Sequence, residues 1–81
     1  MSMARRVVKL TFPQELIKEP VTFRMASKFD IMPNIRRAKV TESIGEMVLE
    51  LEGTDENIEQ GIRYLREQGV QAEPVEGDVL E

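Results

Sequence analysis

The chain has no cysteine, no histidine and no tryptophan, and only one Tyr and three Phe among its 81 residues. Without Cys or His it cannot form a disulfide, and zinc or iron–sulfur ligation is excluded with it. The same two absences exclude His-based acid–base chemistry and the Ser/His and Cys/His nucleophile pairs. Ser2, Ser27 and Ser43 stand outside any activating constellation. No stretch approaches the roughly 20 apolar residues of a membrane span, and no apolar signal core opens the chain. These features predict a soluble, cytoplasmic protein. A G-x-G-x-x-G loop is also missing, and with it the usual phosphate cradle. No catalysis, metal or cofactor is expected.

Eighty-one residues make one domain. A chain of this size buries only about 60–65% of the surface its unfolded form exposes, so it needs an efficient core or association with a second copy. Its net charge of −4 conceals a division. The first forty residues carry nine basic and three acidic side chains; the remainder carries two and twelve. In a compact fold the two halves interleave, and complementary solvated faces are the simplest reading of this polarity.

The periodicities define six elements. Val8, Leu10 and Phe12 alternate with Val7, Lys9 and Thr11, the pattern of a half-buried strand from Arg6 that ends at Pro13. Pro20 suits the first position of a helix, where its missing N–H costs nothing. Val21, Met25 and Phe29, with Ala26, then recur at helical spacing up to Phe29-Asp30. A second strand is predicted from Pro33-Asn34-Ile35 to Thr41, and a turn at Ser43-Ile44-Gly45. In the third strand Met47, Leu49 and Leu51 face inward while Glu46, Val48, Glu50 and Glu52 face outward, where the acids can meet Arg37 and Lys39. Thr54 is an apt N-cap, with Asp55 and Glu56 against the positive end of the helix dipole. Ile58, Ile62 and Leu65 make the buried stripe, Gly61 permits close approach, and Gln68-Gly69 ends the helix. Val70 to Val75 forms a last short strand whose Pro74 argues for an edge. Residues 76–81 read as a flexible tail.

Strand, helix, strand, strand, helix, strand with right-handed crossovers predicts an α+β, ferredoxin-like βαββαβ sandwich: four antiparallel strands with both helices on one face. The other face is expected to be bare, displaying Val7, Lys9, Ile35, Arg37, Lys39, Val48 and Glu50. A metal chaperone of this topology would need C-x-x-C. An RNA-binding sheet would carry aromatics where this chain has Gly45-Glu46-Met47-Val48-Leu49-Glu50-Leu51. Neither nucleic acid nor metal is therefore an expected partner. The doublets Arg5-Arg6 and Arg36-Arg37 are best read as strand-borne cations paired with nearby Glu. Asn34, a short amide at the mouth of a strand, offers both a donor and an acceptor.

The run Pro20-Val21, Ala26 and Phe29-Asp30-Ile31-Met32-Pro33-Asn34-Ile35, followed by Met47 to Gly53 and Tyr64 to Val70, resembles the NIL domain family from about Val7 to Val75. That resemblance implies an ACT-like fold that pairs with a second copy. The family is known at the C-terminus of the ATPase subunit of bacterial methionine importers, where it is implied to bind methionine and restrain transport. Other members are fused to a ferredoxin segment or stand alone. The name-giving Asn-Ile-Leu motif is represented by Asn34-Ile35, with Arg36 in place of Leu; the cation would either favour an acidic ligand or point to solvent. The expectation is a stand-alone regulatory dimer that binds a small amino-acid-like ligand, such as methionine, at Asn34, Ile35, Met32 and Arg36. The alternative is a dimerisation or interaction adaptor without a ligand, serving a separate transporter or ferredoxin-type partner.

Overall fold

The computed structural model describes residues 3–75, so the tail expected at 76–81 lies outside the described residues. The order is β1 (Ala4–Phe12), a 3-10 turn (Gln14–Leu16), α1 (Val21–Phe29), β2 (Met32–Val40), β3 (Gly45–Gly53), α2 (Asp55–Glu67) and β4 (Gln71–Pro74). The strands form one antiparallel sheet in the order β2-β3-β1-β4, the ferredoxin-like arrangement. Helix α1 begins one residue later than expected. Pro20 caps it, and its carbonyl accepts from Arg24 N–H at 3.0 Å. Asp30 closes α1 in the left-handed region at φ 56°, a conformation Asp and Asn tolerate better than most residues.

Helix α2 has both predicted stops. Thr54 Oγ1 accepts from Asn57 N–H at 3.0 Å. At the far end Gly69 (φ 103°) donates to the Arg66 carbonyl while Val70 donates to that of Leu65, a Schellman closure. The β2–β3 turn is held by Thr41, whose Oγ1 accepts from the N–H groups of Ser43 and Ile44.

The core lies between sheet and helices. Val8, Leu10, Leu49, Leu51 and Ala72 supply the sheet side; Val21, Met25, Ile58 and Leu65 supply the helices, with Ile31 and Val70 beside them. Every one of these is apolar, and no polar or charged residue is buried among the described residues. Gly61 brings the helices together: a Cβ there would stand 2.5 Å from Ile31 Cδ1 and 2.9 Å from Met25 Sδ. Strand β2 contributes nothing to this core. Eight of its nine residues are exposed, and Ala38 and Val40 face the helix side without being covered.

Candidate functional site

Register determines which β2 side chains share a face. Pro33 and Ile35 stand opposite Leu51 and Leu49, whose side chains are buried under the helices. Met32 and Asn34 stand opposite Glu52 and Glu50, on the open face. After Ile35 the register slips: Ile35 pairs with Leu49 and Arg37 with Val48, leaving Arg36 as the extra residue of a β-bulge. Alternation predicted that Ile35, Arg37 and Lys39 would share the open face. The bulge overturns this for Ile35, because one inserted residue reverses the parity between the two halves of the strand. Arg36 and Arg37 consequently both belong to the open side.

The four candidate residues therefore divide. Met32, Asn34 and Arg36 lie on or toward the open face, whereas Ile35 is on the helix face, at the edge of the sheet and 63% exposed. Met32 is also 63% exposed. The open face itself is a charge lattice. Strand β3 presents Glu46, Glu50 and Glu52 as a central acidic column, flanked by Arg5 and Lys9 of β1 and by Arg36, Arg37 and Lys39 of β2. Arg36 Nη2 lies 3.3 Å from Glu50 Oε1, and Arg5 Nε lies 3.7 Å from Glu52 Oε2. Arg5, Arg6 and Arg36 of the two doublets thus meet acids of the second half. The expected pairing of Arg37 and Lys39 with the β3 acids does not form among the described residues, and the bulge sets Arg37 opposite Val48. Half-exposed pairs at a sheet surface like these each contribute about 1 kcal/mol or less.

Around Asn34 this lattice holds an amide, a carboxylate (Glu50), two guanidinium groups (Arg36 and Arg37) and apolar surface from Met32, Val7 and Val48. Periodicity placed Glu50 on this face, but only the cross-strand register sets it opposite Asn34. The surroundings are an open strand surface. The clefts of the fold lie elsewhere: one between α2 and the β1–β4 edge, another framed by Phe12, Phe23, Val40 and Met47. No group of three or more acidic side chains among the described residues is placed to hold a metal ion.

Residues 6–74 match the sequence model of the NIL domain. The chain belongs to the NIL domain family. Relatives in this family include the "Methionine import ATP-binding protein MetN" of Coxiella burnetii, 31% identical over 71 residues, covering 83% of this chain and 20% of that protein. "Methionine import ATP-binding protein MetN 2" of Acinetobacter baylyi is 38% identical over 68 residues, covering 79% of this chain and 20% of the relative. This NIL chain spans about a fifth of the length of the relatives it matches. Among solved structures, the C-terminal domain of an ABC transporter ATP-binding protein from Enterococcus faecalis superimposes with a TM-score of 0.77. It is 22% identical, and the match covers 90% of this chain and 86% of that one. The shared fold is the βαββαβ sandwich that the alternation and cap signals predicted.

Proposed function

We propose that this chain is a non-catalytic regulatory domain that binds a small amino acid, with methionine the leading candidate, on the open face of β2 around Asn34. The observation that carries this reading is the neighbourhood of Asn34 in a NIL-family chain whose relatives are named for methionine import. A zwitterionic amino acid needs an acceptor for its ammonium and a donor for its carboxylate. Glu50 supplies the first, Arg36 and Arg37 the second, and the Asn34 amide serves either. Met32 offers a polarizable apolar contact for a thioether side chain.

A flat strand surface cannot enclose a ligand, and small-molecule sites are concave. A second copy joined along β2 would continue the twisted sheet and bring its own Asn34 and Arg36 beside these groups, so the proposal includes a homodimer. Nine residues of β2 run along a sheet edge, with Met32, Ile35 and Val40 more than half exposed. An uncovered edge of that length is a template for strand addition. The cytoplasm is the proposed compartment, consistent with described helices none of which is long and apolar enough to cross a membrane. The proposed partner is the ATPase of a methionine importer.

Calorimetric titration of the chain with methionine and the other amino acids tests the reading. Saturable heat with one of them, weakened about tenfold or more in Asn34→Ala, is the expected result. A folded sample that responds to none would refute the ligand.

One observation favours the alternative of a ligand-free adaptor. Arg36, standing where the family motif has Leu, is already paired with Glu50 beside Asn34. If that pair closes the site, the wild type gives no heat while Arg36→Leu binds. The adaptor reading further requires capture of the importer ATPase by the chain at a strength that amino acids do not alter.

A further inference from the structure

The edge of the sheet opposite β2 carries a groove of its own. Between α2 and the β1–β4 pair runs a groove of about 270 Å³. Beside Val8, Ile62, Ala72 and Pro74 it is lined by three arginines, Arg6, Arg63 and Arg66, and by one acid, Glu59. Acids outnumber bases in this chain, so three guanidinium groups in one concavity run against its composition.

Their bonding is unequal. Arg6 Nη2 is 3.4 Å from both Asp55 Oδ1 and Glu59 Oε2, so its charge is answered. Arg63 has Glu59 one helical turn before it and Glu67 one turn after, the usual spacing for an intrahelical pair. Glu59 is instead engaged by Arg6, and Arg63 is in no ion pair among the described residues. Arg66 donates through Nε (3.3 Å) and Nη2 (2.8 Å) to the Ala72 carbonyl. This fixes its guanidinium against β4 but brings no opposing charge. Two like charges therefore line one groove, one of them held in place by the backbone.

We propose that this groove binds a small organic oxyanion, a carboxylate or a phosphate with a short apolar body. Guanidinium groups match both anions through paired N–H donors, and a pre-positioned fork loses less freedom on binding than a mobile one. Ile62 and Pro74, which keep apolar surface open to the groove, would take the apolar part. The site does not depend on the amino-acid reading, since it shares no residue with the β2 surface.

Amide-resolved NMR titration of the chain at constant ionic strength, with succinate and with phenyl phosphate as separate probes, tests it. Saturable shifts centred on residues 62–66 and 71–73 are expected with at least one probe, and the probe that saturates identifies the anion class. Arg63→Gln should weaken binding about tenfold, whereas Glu59→Gln should tighten it by removing a competing anion from the rim. Arg5→Gln, on the far face, should leave it unchanged. Linear, unsaturated shifts with both probes would overturn the proposal. So would an Arg63→Gln variant that binds as the wild type does, or an Arg5→Gln variant that loses as much.

Discussion

Gly61→Ala sets two effects of known size against each other. On helix propensity alone, replacing an interior glycine by alanine in α2 stabilises by about 1 kcal/mol. The new methyl, however, would stand 2.5 Å from Ile31 Cδ1 and 2.9 Å from Met25 Sδ, where apolar atoms prefer about 3.5–4.0 Å. Met25 is fully buried and Ile31 is 5% exposed, so neither can swing into solvent. The helices must part or the side chains must leave their rotamers, at a cost of about 1–3 kcal/mol. The net expectation is destabilisation of about 1 kcal/mol, a fall in Tm of about 4–8 °C for a domain of this size. Urea denaturation with the midpoint read at constant slope measures it.

Ile31→Val sharpens the test, because it deletes the atom nearest the clash. Alone it should cost about 0.5–1.5 kcal/mol. In the Gly61→Ala background it should cost almost nothing, a coupling of about 1 kcal/mol. A Gly61→Ala protein more stable than wild type by the full propensity term, or a double mutant additive within about 0.3 kcal/mol, would refute the claim that Gly61 sets the helix spacing.

Three further outcomes follow from named contacts. Thr54→Ala removes the acceptor for Asn57 N–H and should lower stability by about 1 kcal/mol in chemical denaturation, with Thr54→Ser recovering most of it. Arg66→Gln removes a charged donor pair from the Ala72 carbonyl; hydrogen exchange should accelerate in β4 (Gln71–Pro74) ahead of the central strands. Ile35→Lys places a cation on the uncovered β2 edge. It should leave the thermal midpoint within a few degrees but shift sedimentation toward the monomer if β2 is the joining edge.

Much of the fold was legible in the chain. The alternation of Glu46 to Glu52 set the inward and outward faces of β3, and Thr54 with Gln68-Gly69 bounded α2 as predicted. Such signals are local: a strand or a helix end is specified by residues within a few positions of one another. Pro20 shows the limit of local reading, since it fits either the cap or the first helical position, and the difference is one residue.

The candidate site was less legible. Asn34 and Ile35 could be singled out from the motif they form, but the face each occupies follows from the bulge at Arg36. A bulge is a mismatch between two strands and is written in neither alone. Likewise the outward glutamates were readable, while the contact of Glu50 with Arg36 required the register. Arg6 and Arg63 line one groove although 57 positions separate them, and no periodicity links them. What the sequence determined by itself was the set of elements, their inward faces and the absence of Cys and His chemistry, because those depend on composition and short-range spacing. Tertiary structure alone decided that β2 is an edge left uncovered by the described residues, that Ile35 turns from the open face, and that three arginines share a groove. Each of these depends on strand order and register, which are properties of pairs of segments.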